Sequence, residues 1–255
     1  MAGNGAIELI YLIPRALKIK KAVIFKPCFY DYYRSCLSAG AEVTALPLIK
    51  NNKAEYPLDE KTLAIIDKTD AVFIGNPNNP TGSLLDCKTI LDLAKKFPHT
   101  WFLIDEAFIQ FLENPQKYSL LDRQKLCENI IIFHSLTKFY ALPGLRMGAA
   151  VSHPKTIARL AQHKEPWTVN ALAEKAANIL IDCKEYEVKT RELISEQRNM
   201  VFHELNHIPV IDVFKTPANF IFARLHDSLD LGEMIASLLK KGIFIRDCRN
   251  FEGLA

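Results

Sequence analysis

Short apolar runs alternate with longer amphipathic stretches along the N-terminal part of the chain. The runs are rich in Val, Ile and Phe and are followed by turn or polar residues, which is typical of strands buried on both faces. The predicted strands are Ala22–Phe25, Glu42–Leu46, Ala71–Ile74, Trp101–Ile104, Ile130–Phe133 and Met147–Val151. The amphipathic stretches predict helices at Ala6–Leu17, Tyr30–Ala39 and Leu84–Phe97. Pro14 should kink or shorten the first of them. This alternation predicts a three-layer α/β fold, in which helices cover both faces of a mainly parallel sheet.

After Pro154 the pattern changes and helices dominate. The spacing predicts helices at Pro154–Gln162, Val169–Ile181, Glu185–Asn206 and Leu231–Lys240. It predicts strands at Val210–Val213, Asn219–Ala223 and Gly242–Arg246. A helical connection therefore leads into a smaller α+β unit. We place the boundary near Asp182, which gives a large domain of residues 1–182 and a small, incomplete C-terminal domain of residues 183–255.

Composition and charge narrow the class of protein. The chain has 255 residues, of which 49% are hydrophobic, and its 32 basic and 29 acidic side chains give a net charge of +3. That balance is too mild to indicate binding to nucleic acid or to an anionic membrane. No apolar run approaches the length of a membrane span, and no secretory signal opens the chain. The six cysteines contain no C-x-x-C pair, which favours reduced thiols and a cytoplasmic protein.

Three predicted strands are followed by residues that can do chemistry. Asn79, Asp105 and Lys138 each lie just beyond the end of a different strand. Parallel strands end at one edge of a sheet, and α/β sheets bind their ligands at that edge. We therefore expect these side chains to meet there. Ser135 and Thr137, close to the lysine, add two hydroxyl groups.

Together these residues suit one ligand, pyridoxal 5′-phosphate. A lysine forms a Schiff base with its aldehyde, a carboxylate keeps its ring nitrogen protonated, and an asparagine amide donates to its ring hydroxylate. Hydroxyl groups, an arginine such as Arg146 and a helix N-terminus hold its phosphate. The turn Gly3–Gly5 precedes the first predicted helix, whose first N–H groups lack intrahelical partners.

Three segments carry a family resemblance: Asn76–Gly82, Asp105–Phe108 and Ser135–Gly148. They resemble, in order and spacing, the fold-type I pyridoxal-phosphate enzymes, the aminotransferase class I/II family, in the branch that contains histidinol-phosphate aminotransferase. The resemblance covers nearly the whole chain. It implies the three-layer α-β-α large domain of these transferases and a smaller C-terminal domain.

The resemblance assigns roles around the cofactor ring. It implies that Lys138 carries the Schiff base and that Asp105 pairs with the ring nitrogen, so these two are the candidate catalytic residues. Asn79 would contact the ring hydroxyl, and Phe29 would stack on the ring. Phe108 stands where aminotransferases commonly place a tyrosine that bonds the same hydroxyl.

The resemblance also assigns the phosphate site. The side chains of Ser135, Thr137 and Arg146 would hold the phosphate. The backbone N–H groups of Gly5 and Ala6, at the start of the first helix, would complete the site.

Within the branch, the segments Thr137–Ala141, Pro166–Ala173 and Ile245–Phe251 resemble the threonine-phosphate decarboxylases of cobalamin biosynthesis. Those enzymes remove the carboxylate of L-threonine O-3-phosphate and give aminopropanol phosphate. The resemblance implies a small phosphorylated amino-acid substrate, with Arg246 on the substrate phosphate and Asn79 among the substrate-binding residues.

A histidinol-phosphate-type aminotransferase is the first alternative, because the same cofactor residues serve both reactions. The two differ in their need for a 2-oxoacid, which an aminotransferase requires and a decarboxylase does not. An inactive fragment that binds the cofactor or a partner subunit is an alternative of another class.

That last alternative follows from what the chain lacks. Relatives have an N-terminal arm that crosses a homodimer and, after a segment like Asn250–Leu254, a strand with an arginine for the substrate carboxylate. Neither is found here, so the chain looks truncated at both ends. The resemblance nevertheless implies a homodimer, since the relatives build their sites at the subunit interface.

One motif points elsewhere. His203–His207 matches H-E-x-x-H, which on a helix can hold zinc. Pro209 follows at once, so the pair lies at a fraying helix end, and His226 lies in a probable loop beyond a predicted strand. We therefore interpret the segment as a solvated helix end and predict no metal site.

Overall fold

A computed structural model describes residues 1–51, 53–121, 123 and 127–254. Its strands are Ala2–Asn4 (β1), Lys21–Lys26 (β2), Glu42–Pro47 (β3), Ile49–Lys50 (β4), Lys53–Ala54 (β5), Ala71–Gly75 (β6), Trp101–Asp105 (β7), Ile130–Ser135 (β8), Met147–Ser152 (β9), Ile211–Phe214 (β10) and Phe222–Leu225 (β11). Its α-helices are Gly5–Ala16 (α1), Asp31–Ser38 (α2), Glu60–Ile66 (α3), Cys87–Lys96 (α4), Leu136–Phe139 (α5), Pro154–Ala161 (α6), Ala171–Leu180 (α7), Lys184–Asn206 (α8) and Leu231–Lys240 (α9). Short 3₁₀ turns cover Ile109–Phe111, Pro115–Lys117 and Pro143–Leu145.

Within these ranges, seven strands form one sheet in the order β1-β9-β8-β7-β6-β2-β3. Five neighbouring strands of this sheet, β8, β7, β6, β2 and β3, run parallel, whereas β9 is antiparallel to β8 and β1 is antiparallel to β9. The small strands pair as two separate hairpins, β4 with β5 and β10 with β11. The predicted mainly parallel α/β fold is confirmed.

Alternate residues of the sheet face two different cores. Phe73 and Phe133 lie on one face, in the core that includes apolar residues of α1 and α2. Phe102 and Ile132 lie on the other face, where Ile90 of α4 is buried. Each such side chain contributes about 1.5–3 kcal/mol when fully buried. Burial on both faces explains why these strands show continuous apolar runs rather than alternation.

The structure corrects some local predictions. Ala2–Asn4 is not only a turn but an edge strand paired with β9. Gly242–Arg246, predicted as a strand, is irregular, since no described strand lies beside it to complete a ladder. The strand predicted at Asn219–Ala223 begins later, at Phe222. Pro14 lies near the end of α1, which stops two residues later, at Ala16.

The C-terminal part begins with the long helix α8, which contacts β10 and the 3₁₀ turn at Ile109–Phe111. The division predicted near Asp182 falls just before this helix and stays a prediction. Among the described helices, none combines the length and the apolar character that a membrane crossing requires.

Candidate active site

The central strands bring the predicted catalytic residues to one edge of the sheet. Asp105 is the last residue of β7, and in the sheet it lies between Gly75 of β6 and Phe133 of β8. Lys138 lies on α5, which follows β8 directly, and Asn79 lies in the loop after β6. Thus strand ends that are adjacent in space carry the carboxylate, the amine and the amide.

Asp105 is buried, with 8% of its surface exposed. Its Oδ2 accepts a hydrogen bond of 2.7 Å from the Tyr32 hydroxyl, and its Oδ1 accepts one of 2.9 Å from the Ala107 N–H. Burial raises the pKa of this carboxyl above its ordinary value, although both hydrogen bonds and the charge of Lys138 act to lower it. A buried carboxylate of this kind suits a cationic partner such as a protonated ring nitrogen.

A cradle for an anion forms where β9 meets the first turn of α1. A Cβ on Gly148 would lie 2.2 Å from the backbone nitrogen of Ala6, so only glycine fits there. A Cβ on Gly5, which has a φ of +73°, would lie 2.5 Å from Nη2 of Arg146. The guanidinium therefore lies directly against the N-terminus of α1, where helix N–H groups and a positive charge both attract an anion.

Of the two N–H groups predicted for the phosphate, the Gly5 N–H donates to the carbonyl oxygen of Arg146 at 2.8 Å. Ala6 belongs to the first turn of α1, where no earlier helix carbonyl accepts its N–H. The Gly5 N–H is therefore already paired within the chain, and the binding of a phosphate by the Ala6 N–H stays a prediction.

Two hydroxyls border the same cradle. Ser135 lies opposite Gly148 in the β8–β9 ladder, and its Oγ lies 2.8 Å from Oγ1 of Thr137. Ser135 also caps α5, because its side chain accepts from the Thr137 N–H. The hydroxyls, the Arg146 guanidinium and the start of α1 therefore converge, which is the arrangement expected for a phosphate site.

The loop that carries Asn79 is held by its neighbours. Asn78 donates from Nδ2 to the Pro27 carbonyl at 2.9 Å and to Oγ1 of Thr81 at 2.8 Å. The hydroxyl groups of Thr81 and Ser83 form a hydrogen bond, with 2.7 Å between Oγ1 and Oγ. This buried network fixes the backbone on both sides of Asn79, whose own side chain is only partly buried.

The two aromatic residues predicted to contact the cofactor, Phe29 and Phe108, each pack against another aromatic ring. Phe29 is partly buried, and its ring meets Tyr32 edge to face at 5.6 Å between centroids. Phe108 meets Phe220 edge to face at 5.2 Å, so a residue of the C-terminal part covers the loop after β7. Stacking of Phe29 on a ligand ring stays a prediction.

Arg246 lies in the C-terminal segment, in an exposed position. Its Nη2 donates to Oδ1 of Asn250 at 3.0 Å, and its guanidinium lies 5.6 Å from the ring centroid of Phe251. The same segment is tethered to the sheet by an ion pair between Lys26 and Glu252. Lys26 is the last residue of β2, so Arg246 lies in a segment anchored at the carboxyl edge of the sheet.

Sequence reasoning missed several contributors. Tyr32, which is not among the predicted site residues, is only 3% exposed and donates a hydrogen bond to Asp105. Glu106 is fully buried and accepts from the Ser119 hydroxyl and the Leu120 N–H, both at 2.7 Å. The spacing of Tyr32, Ser35 and Cys36, all buried on one face of α2, was a signal in the sequence.

The H-E-x-x-H motif, His203–His207, lies at the C-terminal end of α8. The rings of His203 and His207 lie 4.4 Å apart. In the described part of the chain, no group of three or more His, Cys, Asp or Glu side chains is placed to hold a metal ion.

Comparison with known proteins assigns the chain to a family. The family model for aminotransferases of class I and II matches residues 1–253, and the chain belongs to this family, whose members are pyridoxal-phosphate-dependent enzymes. A provisionally named threonine-phosphate decarboxylase from Caldanaerobacter subterraneus subsp. tengcongensis is 38% identical over 256 residues, covering 100% of this chain and 69% of the relative.

Two solved structures share this architecture. The histidinol-phosphate aminotransferase from Clostridium acetobutylicum superimposes with a TM-score of 0.89 at 33% identity, covering 100% of this chain and 75% of that one. The L-threonine-O-3-phosphate decarboxylase from Porphyromonas gingivalis gives 0.87 at 27% identity with the same two coverages.

The residues present fit pyridoxal 5′-phosphate. The buried carboxylate of Asp105 lies close enough to Lys138 for the charge of the lysine to act on its pKa, and a cradle that a single Cβ would fill lies beside a guanidinium and two hydroxyls. Their chemistry would suit the ring nitrogen, the aldehyde and the phosphate of the cofactor.

Proposed function

We propose that this chain is a pyridoxal-phosphate-dependent decarboxylase of L-threonine O-3-phosphate, which releases carbon dioxide and gives aminopropanol phosphate. The observation that carries the proposal is the meeting of Lys138, Asp105 and the anion cradle at one sheet edge. The similarity to threonine-phosphate decarboxylases supports the substrate.

When bound, the cofactor supplies an electron sink for the pair released from the substrate Cα. Lys138 would provide the amine that attaches it, and Asp105 would hold a proton on its ring nitrogen. Ser135, Thr137 and Arg146 would anchor its phosphate. The chain's own contribution is thus to orient the ring rigidly and to keep the buried Asp105 charged.

The choice between decarboxylation and transamination depends on which Cα bond stands perpendicular to the cofactor ring. Anion-binding side chains set that orientation. We propose that Arg246 binds the substrate phosphate, which its exposure and its place in the segment tethered to β2 support. Arg249 lies in the same segment but forms an ion pair with Asp247, so it provides a matched control.

The first test is the visible absorption spectrum of the chain with added pyridoxal phosphate. Wild type should develop a band that Lys138→Ala abolishes, whereas Lys240→Ala, at an exposed helix end, should keep it. A band that survives in Lys138→Ala would contradict the role of this lysine. A wild type without a band would contradict the cofactor site and favour an inactive fragment.

The second test separates the reactions. Wild type with threonine phosphate should release carbon dioxide without a 2-oxoacid, and Arg246→Ala should raise KM strongly while Arg249→Ala does not. Turnover that requires 2-oxoglutarate, with histidinol phosphate as the amino donor, would instead establish the aminotransferase. Unchanged kinetics in Arg246→Ala would exclude its proposed role.

We also propose that the protein is a homodimer in the cytoplasm. Four large apolar residues in or near α7 have more than half of their surface exposed, and so much exposed apolar surface in one short segment supports a protein interface: Trp167, Leu172, Ile179 and Ile181. All six cysteines are free, which suits a reducing compartment. Light scattering should give a dimer that Trp167→Glu dissociates and Leu229→Glu does not; a monomeric wild type would contradict the proposal.

A further inference from the structure

Tyr32 is a buried tyrosine whose hydroxyl group forms a hydrogen bond with the Asp105 carboxylate. It lies on α2, is 3% exposed, and donates to Oδ2 of Asp105 at 2.7 Å. Its ring stacks on Phe73 at 4.9 Å with an interplanar angle of 10°, and Phe73 stacks in turn on Phe133 at 6.2 Å. The stack fixes the plane of the tyrosine ring and so holds the phenol oxygen in place beside the carboxylate.

The position of the hydroxyl is set by the sheet. Gly75 is the residue opposite Asp105 on β6, and a Cβ there would lie 3.4 Å from the Tyr32 oxygen. The phenol therefore reaches the carboxylate across a strand position without a side chain. The Ala107 N–H holds the other carboxylate oxygen, so each oxygen of Asp105 has one donor and keeps further lone pairs open.

We propose that Tyr32 is a positioning residue for the cofactor site, which fixes the rotamer of Asp105 and keeps its carboxylate charged for the ring nitrogen. The inference rests on the proposed cofactor function. Its physical basis is that a hydrogen bond to a carboxylate favours the charged form and is strong when both partners are shielded from water.

The chain offers a matched control in Tyr56. It too is buried, but its hydroxyl donates to the Gly75 carbonyl oxygen at 2.5 Å and not to Asp105. Tyr32→Phe and Tyr56→Phe therefore delete the same atom from the same region. Only the first deletion removes a donor from the carboxylate.

The titratable groups that act on Asp105 and on the two phenols beside it are Tyr32, Tyr56, Lys138 and, next to the phenols, Cys28. Burial raises the pKa of both phenols, and it raises the pKa of the Cys28 thiol to about 12, so these three keep their protons near neutral pH. Lys138 is common to both phenylalanine variants. A difference between the variants therefore reports on the Asp105 carboxyl.

The first measurement needs no cofactor. Infrared difference spectra of the apoprotein titrate the protonated carboxyl, and Asp105→Asn identifies its band. Tyr32→Phe should raise the midpoint by about one pH unit, a tenfold change in proton affinity, because a hydrogen bond to the charged form is lost. Tyr56→Phe should leave the midpoint nearly unchanged. Equal midpoints in all three proteins would overturn the proposal.

The second measurement is the dissociation constant for pyridoxal phosphate at about pH 8, from absorbance titration. Tyr32→Phe should weaken binding about tenfold or more relative to Tyr56→Phe. Equal affinities would overturn the proposal. A wild type that binds no pyridoxal phosphate would contradict the proposed function instead, while the carboxyl titration would still test the Tyr32–Asp105 contact.

If Tyr32→Phe does not fold, 3-fluorotyrosine incorporated throughout the chain supplies the test. Its phenol is more acidic and is a stronger donor, so the Asp105 midpoint should fall. A midpoint that does not move would overturn the proposal.

Discussion

Gly148 lies so close to Ala6 that a Cβ on the glycine would lie 2.2 Å from the alanine nitrogen. This contact joins the strand after Arg146 to the first turn of α1 and so builds the anion cradle. The obstacle is backbone, which cannot rotate away as a flexible side chain could.

Gly148→Ala should therefore force α1 away from β9. We expect a loss of about 1–3 kcal/mol in the free energy of unfolding, as in other overpacked sites, and weaker binding of pyridoxal phosphate. Urea unfolding and absorbance titration measure the two effects. Gly144→Ala is the control, since nothing lies within 4 Å of a Cβ there. Equal losses in both variants would contradict the cradle.

Gly82 connects the loop of Asn79 to the C-terminal part of the chain. It has a φ of +73°, and a Cβ on it would lie 2.5 Å from Cβ of Thr216. Gly242 has nearly the same φ, +74°, with open space around it. Both alanine variants should lose about 1 kcal/mol from left-handed strain, and Gly82→Ala should lose about 1–3 kcal/mol more from the clash. Urea unfolding that gives equal losses would contradict the contact.

His134 predicts a pH dependence of stability. Its Nδ1 is buried without a hydrogen-bond partner among the described residues, and burial lowers its pKa to about 4 from 6.5. The folded state thus binds fewer protons at this site than the unfolded state. Above pH 6.5 the histidine is neutral in both states and does not oppose folding. As the pH falls towards about 4, the unfolded state takes up a proton that the folded state does not, and the free energy of unfolding decreases.

At about 1.4 kcal/mol per pKa unit, the full loss amounts to about 3.5 kcal/mol. Urea unfolding at several pH values should show that His134→Gln removes this part of the acid sensitivity. His163→Gln, at an exposed position, should keep it. Wild-type and His134→Gln curves with the same slope between pH 6.5 and 4 would refute the prediction.

Glu106 holds the segment behind the site. Its side chain is buried and accepts from the Ser119 hydroxyl and the Leu120 N–H. Glu106→Ala would leave these donors without that acceptor, so we expect a loss of about 3 kcal/mol in the free energy of unfolding. Glu106→Gln should lose less because it keeps one carbonyl acceptor. Glu196→Ala, exposed on α8, should lose little, and an equal loss there would contradict the prediction.

The parallel core and the chemical groups at its edge could be predicted from local sequence patterns. A continuous apolar run such as Ala71–Ile74 indicates a strand that is buried on both faces. Because this pattern is local in the sequence, the strands could be predicted from it. Asp105 and Lys138 follow such runs directly. Their meeting therefore follows from the rule that parallel strands end at one edge.

Which side chains support that edge depends on contacts between elements that are distant in the chain. The Tyr32 hydroxyl donates a hydrogen bond to Asp105, which is 73 positions away in the chain. The backbone of Ala6, near the N-terminus, packs against Gly148 because the glycine has no side chain. Gly242–Arg246 has an apolar pattern but no neighbouring strand in the described chain. Such outcomes depend on which elements become neighbours, because a hydrogen bond, a close approach or a strand ladder requires a partner that local pattern does not specify.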